Sequence, residues 1–223
     1  FSLAWYNAVD LTSVSTALIL LYSYPSMVSI ASVFLLGEKM TASKLVALPL
    51  TFVGCVLVAR AYDLESIRLN IVGVGLGLFT AFAATVYYVW AKKLLTVYSS
   101  STLALYMTLL MIPGLLLAVN PFSAIETPLS ADAWLYIFLI GLLPGTLGFV
   151  VAMFALRHVE ASKASIIAGI EPVSGVFLAV LFIAETVDAL QALGVALVIS
   201  SVFIIRFTQK EEENPIVEAP PPR

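Results

Sequence analysis

Glu171 is the residue whose type and position point most directly to chemistry. It lies about nine residues into an apolar run of 23, over 162–184, close to mid-membrane if that run is a spanning helix rising ~1.5 Å per residue. An ionisable group at that depth costs about 2.5–3.5 kcal/mol on insertion scales, so it must face a cavity or a partner. A carboxyl so placed suits proton coupling or recognition of a cationic group such as an amine. The alternative is a protonated carboxyl bonded to a neighbouring helix, with a structural role only. Ser174 follows at i+3 on the same helical face. Pro172 removes a backbone donor and frees the carbonyl of Ala168, and Pro25 does the same for Leu21. In a membrane such carbonyls are tolerated only beside protein or water, so both prolines predict kinks next to a cavity.

The elements that must position these residues follow from composition. Of 223 residues, 61% are hydrophobic and only 11% are charged, with a mean hydropathy of +1.04. Soluble domains carry roughly 25% charged residues, so most of this exterior must face lipid. Seven runs are long enough to cross a bilayer, over 12–36, 43–60, 69–91, 102–119, 133–156, 162–184 and 187–207, with short polar dividers between them. Residues 1–9 read as the last turns of an eighth helix that starts upstream. The charged, proline-rich segment 208–223 reads as a disordered tail. Counted over alternate loops, Lys and Arg fall nine on the tail's side and two on the other, which predicts a cytoplasmic C-terminus.

A shift of 147 residues lays 8–58 over 155–205 and aligns Ser15 with Ser162, Pro25 with Pro172 and Glu38 with Glu185. A mid-helix proline followed 13 residues later by a helix-end glutamate thus occurs twice. The copies open on the first and sixth full helices, an odd step, so they are expected to cross the membrane in opposite senses, as an inverted-topology repeat. Tyr24 then occupies the position equivalent to Glu171 and, with Tyr22 and Ser23, is expected to supply hydroxyl and aromatic contacts on the opposite wall. Tyr87, Tyr88 and Trp90 are candidates for the same wall, but they lie near a helix end, where aromatic belt residues are normal, and the belt reading is favoured. Glu38 and Glu185 are read as caps of their own following turns, and Lys163 as a side chain snorkelling to the interface. Stripes of small residues, Gly73/Gly77/Ala81, Gly141/Gly145, Gly148/Ala152 and Ala192/Ala196/Ser200, are expected to let helices approach closely or to serve a homodimer.

The segment Ala161-Ser162-Lys163-Ala164-Ser165 through Gly169-Ile170-Glu171-Pro172-Val173 to Glu185 resembles the ninth helix of EamA-type transporters in the drug/metabolite transporter superfamily. Its partner, Thr16-Ala17-Leu18 through Tyr24-Pro25 to Gly37-Glu38, resembles the fourth. The resemblance implies an all-α, polytopic transmembrane bundle of ten helices in two inverted five-helix repeats. The present chain would hold the end of helix three through helix ten. Residues 1–68 would complete the first repeat and 69–207 would form the second. It further implies a secondary transporter of the plasma membrane, bacterial by this resemblance, that exports amino acids, metabolites or drugs by alternating access.

Other classes fit poorly. The scattered basic residues and a net charge of −3 argue against nucleic-acid partners. No HExxH or GxSxG motif is present, and the aspartates stand near helix ends, which argues against an intramembrane enzyme. One cysteine excludes a multi-cysteine metal site, and the absence of GxxxxGK[ST] leaves no nucleotide or other cofactor in view. A non-transporting scaffold or assembly subunit accounts for the helices but not for the repeat or Glu171.

Overall fold

The computed structural model describes residues 1–62, 70–118, 130–184 and 186–213. These residues form eight helical segments and no strand. They are α1 (Ser2–Leu11), a broken pair α2 (Val14–Leu21) and α3 (Tyr24–Leu36), α4 (Ala42–Val58), α5 (Ile71–Leu94) and α6 (Ser100–Ala118). Then come α7 (Ala131–Leu142), joined through a π-helical turn at Leu143–Gly148 to α8 (Phe149–His158), a second broken pair α9 (Ala161–Ala168) and α10 (Glu171–Ile183), and α11 (Ala189–Glu213). Five segments are long and apolar enough to span a bilayer, and α4 and 100–114 of α6 are shorter apolar helices. These seven correspond to the seven runs read from hydropathy. The last helix continues through 208–213, residues assigned above to a disordered tail, whereas 214–223 lie outside the described residues.

The chain divides into two compact units, 1–89 with 161 onward, and 90–160. In the first, α4 and α11 lie antiparallel, since ascending residues of one meet descending residues of the other. Thr51 Oγ1 donates to Ser201 Oγ at 2.7 Å, and Gln191 Nε2 donates to the carbonyl of Val58 at 3.3 Å. Gly54 and Gly194 make this approach possible: a Cβ on Gly194 would sit 2.8 Å from the Gly54 carbonyl oxygen. Both helices begin at a polar cap. Thr41 accepts from the amide of Lys44, and Asp188 Oδ1 accepts from the amides of Leu190 and Gln191, both at 2.9 Å.

Packing of the glycine stripe on α5 is as expected. Gly73 lies against Leu11 and Thr12, Gly77 lies against Leu20, and Ala81 is fully buried. Among the described residues, Gly141 and the Ala192/Ala196/Ser200 stripe pack against no neighbouring helix. Nothing lies within 4 Å of a Cβ built on Gly141, and Ala192, Ala196 and Ser200 are exposed. The buried face of α11 carries Gly194, Val198 and Ser201 instead. Hydropathy is blind to this choice, because both faces of a membrane helix are apolar.

Polar groups at the opposite end of α4 join a different network. Arg60 donates to the carbonyl of Thr186 at 2.8 Å and lies 3.5 Å from Asp188, whose Oδ2 also accepts from the Tyr62 hydroxyl at 2.5 Å. That hydroxyl above all, then the Gln191 amide, holds the Asp188 carboxyl below the usual carboxylate range. A depressed folded value means that Asp188 stabilises the fold fully above its ordinary value, about 3.9. The contribution is lost as pH falls through the lower folded value. Acid titration of the thermal midpoint should therefore show a loss in that window, and Tyr62→Phe should shrink it.

In the second unit, α6 packs on α8, with Ser100 Oγ donating to the Met153 carbonyl at 3.5 Å. Lys92 ends α5 by donating to three carbonyls at the C-terminus of α8 and just beyond it, Leu156 at 2.9, Arg157 at 3.0 and Val159 at 2.8 Å. An ammonium there complements the negative end of the helix dipole. Lys92→Met keeps the apolar stem and removes these bonds, so it is expected to cost about 1.5–3 kcal/mol, read as a lowered unfolding midpoint in detergent.

Candidate functional site

Two broken helices build the site. Adding 147 to the bounds of Val14–Leu21 and Tyr24–Leu36 gives Ala161–Ala168 and Glu171–Ile183, so the two breaks fall at equivalent positions. Each second half opens with its proline in the first turn, where the missing N–H costs nothing. Each ends on a left-handed residue, Gly37 at φ 71° and Ala184 at φ 55°. Pro25 and Pro172 therefore restart a helix rather than bend a continuous one. At the second break Gly169 is pressed against α4, with its carbonyl 3.6 Å from Cys55 Sγ, and a Cβ there would meet Thr51 Cγ2 at 2.4 Å. Only a glycine lets the break approach α4 so closely.

The first break carries Tyr22 and Tyr24, both almost completely buried. Tyr24 stacks on Tyr88 of α5, with ring centroids 5.6 Å apart and planes 16° apart, and its hydroxyl donates to the Ser165 carbonyl at 3.3 Å. Tyr22 packs on Tyr24 at 6.4 Å, and Tyr87 meets Tyr88 edge to face at 5.3 Å. The belt assignment of Tyr87 and Tyr88 is thus overturned, since they extend inward as part of this cluster, while Trp90 is exposed. Periodicity misses this because a tyrosine near a helix end looks the same whether it faces lipid or a neighbouring helix.

Glu171 opens the second half-helix, with its side chain exposed. It stands at the position of the second break that Tyr24 holds at the first. A carboxylate exposed at a helix break can hold a cationic group, while Tyr22 and Tyr24 pack behind the first break. Two expected contributors turn to their own backbone instead. Ser23 Oγ donates to the Leu20 carbonyl at 2.6 Å, and Ser174 Oγ donates to the Ile170 carbonyl at 3.1 Å. They satisfy carbonyls around the breaks, so their hydroxyl protons are already committed.

Glu38 does not cap its own turn. Its carboxylate accepts from the amides of Ala161 at 2.6 Å and Ser162 at 3.1 Å and from the Ser162 hydroxyl, all at the start of α9. Lys44 Nζ stands 3.6 Å away, and both side chains are buried. Lys163 is buried as well rather than reaching the interface. Glu185, its repeat partner, lies outside the described residues. Among the described residues, the buried hydroxyls of Ser29 and Ser32 on α3 lack hydrogen-bond partners, a feature that no sequence pattern signalled.

The pattern of the EamA-like transporter family matches residues 1–60 and 71–207. Two proteins of Archaeoglobus fulgidus, each described as an uncharacterized transporter, are similar over most of the chain. One is 26% identical over 197 residues, 88% of this chain and 68% of that protein, and the other is 29% identical over 186 residues, 81% of this chain and 63% of that protein. The chain therefore spans about two thirds of the length of these relatives. A solved crystal structure shares the fold, with a TM-score of 0.75 at 17% identity over 95% of this chain and 73% of that one. The chain is a multi-pass membrane protein and belongs to the EamA-like transporter family, a family of transporters and not of enzymes.

Proposed function

We propose that the chain forms most of a secondary transporter that moves a small metabolite, an amino acid or an amine, by alternating access around Glu171. The observation that supports this reading is the equivalence of the two helix breaks, with Tyr24 opening the second half at one and Glu171 at the other. Discontinuous helices at a repeat interface are where secondary transporters bind their cargo. The antiparallel meetings of α4 with α11, and of the end of α3 with the start of α9, support two repeats of opposite sense. Their relative rocking would open one face at a time, with the C-terminus in the cytoplasm and export as the direction. Glu171 would hold a cationic group or carry the coupling proton.

Counterflow in proteoliposomes containing the protein tests this, with pooled labelled amino acids and amines offered across a pH gradient. Saturable counterflow is expected. Its absence for every compound, with folded protein in the membrane, would favour a scaffold or assembly subunit instead.

A further inference from the structure

We propose that Glu38 is the latch that holds one end of the pathway closed, by tying the end of α3 to the start of α9. The proposal rests on the alternating-access reading, since a latch matters only if that end opens. Three donors converge on one carboxylate from a helix more than 120 positions away, and Lys44 supplies the countercharge while its ammonium also donates to the Lys39 carbonyl at 2.8 Å. The positive end of α9 adds to the attraction. Such a cluster is stable only while α3, α4 and α9 stay together. By contrast the Arg60–Asp188 pair at the far end of α4 has side chains 41% and 45% exposed, whereas those of Lys44 and Glu38 are 2% and 8% exposed.

A second observation supplies the opposing force. The closed arrangement buries Ser29 and Ser32, on α3 between the break and Glu38, with their hydroxyls unsatisfied. Unpaired buried hydroxyls disfavour the state that buries them, and opening to water would relieve them. The closed end is therefore a balance, with the Glu38 network on one side and two orphan hydroxyls on the other. Two opposing contributions of similar size are what a reversible gate needs.

Cys55 reports the opening without any substrate. It is the chain's one cysteine, fully buried, with its sulfur on the Gly169 carbonyl where α4 meets the second break. Cys55 follows Lys44 by about 16 Å along α4, so a water-soluble maleimide added on the face carrying Glu38 should reach it only if α9 leaves α4 along that whole length. The protein would be labelled in sealed vesicles and modification of the Cys55 peptide followed by mass spectrometry, well below the unfolding midpoint. Glu38→Ala should raise the labelling rate by about tenfold or more, and Ser162→Ala by about threefold, because the first removes all three bonds to the carboxylate and the second only one of them. Ser32→Ala should lower it by at least about threefold, the reverse of what general loosening would do. Ser200→Ala, on the exposed face of α11 where the hydroxyl bonds only the Ala196 carbonyl of its own helix, leaves the latch untouched and should leave the rate unchanged. If Glu38→Ala does not fold, the opposed effects of Ser162→Ala and Ser32→Ala decide. Unchanged labelling in both, or a rise in both, overturns the latch. A protein that opens at Glu38 yet carries no solute would keep the latch and remove the transport reading.

Discussion

Glu171→Gln is expected to lower saturable counterflow of an ammonium-bearing solute by at least about tenfold, the range for losing one partner of a charge pair that forms and is desolvated when the solute binds. The substitution is nearly isosteric and the side chain is exposed, so folding should survive and the unfolding midpoint should stay close to that of the parent. Glutamine keeps a hydrogen-bonding head but carries neither charge nor titrating proton. If the carboxyl recognises a cation, the apparent affinity for amines falls while flux of any neutral solute persists. If it carries the coupling proton, maximal flux loses its dependence on pH. Flux that is unaltered in both respects would keep a transporter and discard Glu171 as its centre. Tyr24→Phe is the companion variant, because it removes the hydroxyl on the Ser165 carbonyl while leaving the ring stacked on Tyr88.

Gly194→Leu should have the largest effect on stability. A Cβ at this position would stand 2.7 Å from Leu57 Cβ and 2.8 Å from both the Gly54 oxygen and the Val58 nitrogen. Two of these atoms are backbone of the facing helix and cannot turn aside, so α4 and α11 would have to separate. Overpacking typically costs about 1–3 kcal/mol. Here separation also threatens the Thr51–Ser201 and Gln191–Val58 bonds across the seam. The expected result is a strongly lowered unfolding midpoint, or protein that does not survive extraction. Gly175→Ala is the matched control: nothing lies within 4 Å of its Cβ, and alanine favours helix by about 1 kcal/mol over glycine. Similar losses in both variants would contradict close packing as the reason for Gly194.

Much of the architecture was legible because membrane helices announce themselves one at a time. Each must hide its own backbone polar groups over about 20 apolar residues, so length and hydropathy mark all seven spans without reference to neighbours. The repeat was legible for a related reason. Pro25 and Pro172 act on their own helices and leave a local mark at a fixed distance from Glu38 and Glu185. Even so, the sequence predicted kinks, whereas the halves stop and restart, with Gly169 packed on α4.

The pairings were not legible. Tyr24 meets Tyr88, Glu38 caps a helix more than 120 positions away, and Lys44 and Lys163 are buried. Each depends on which face of one apolar helix turns towards another, and hydropathy averages over all faces. The Ala192/Ala196/Ser200 stripe shows the same limit, being small enough to pack yet left exposed while Gly194, Val198 and Ser201 make the contact. The sequence by itself determined that this chain crosses a membrane as repeated, proline-broken helices of a recognisable transporter type, because those properties are local. Only the tertiary structure decided what surrounds Glu171 and what holds Glu38, because those depend on side chains brought together from helices far apart in the chain.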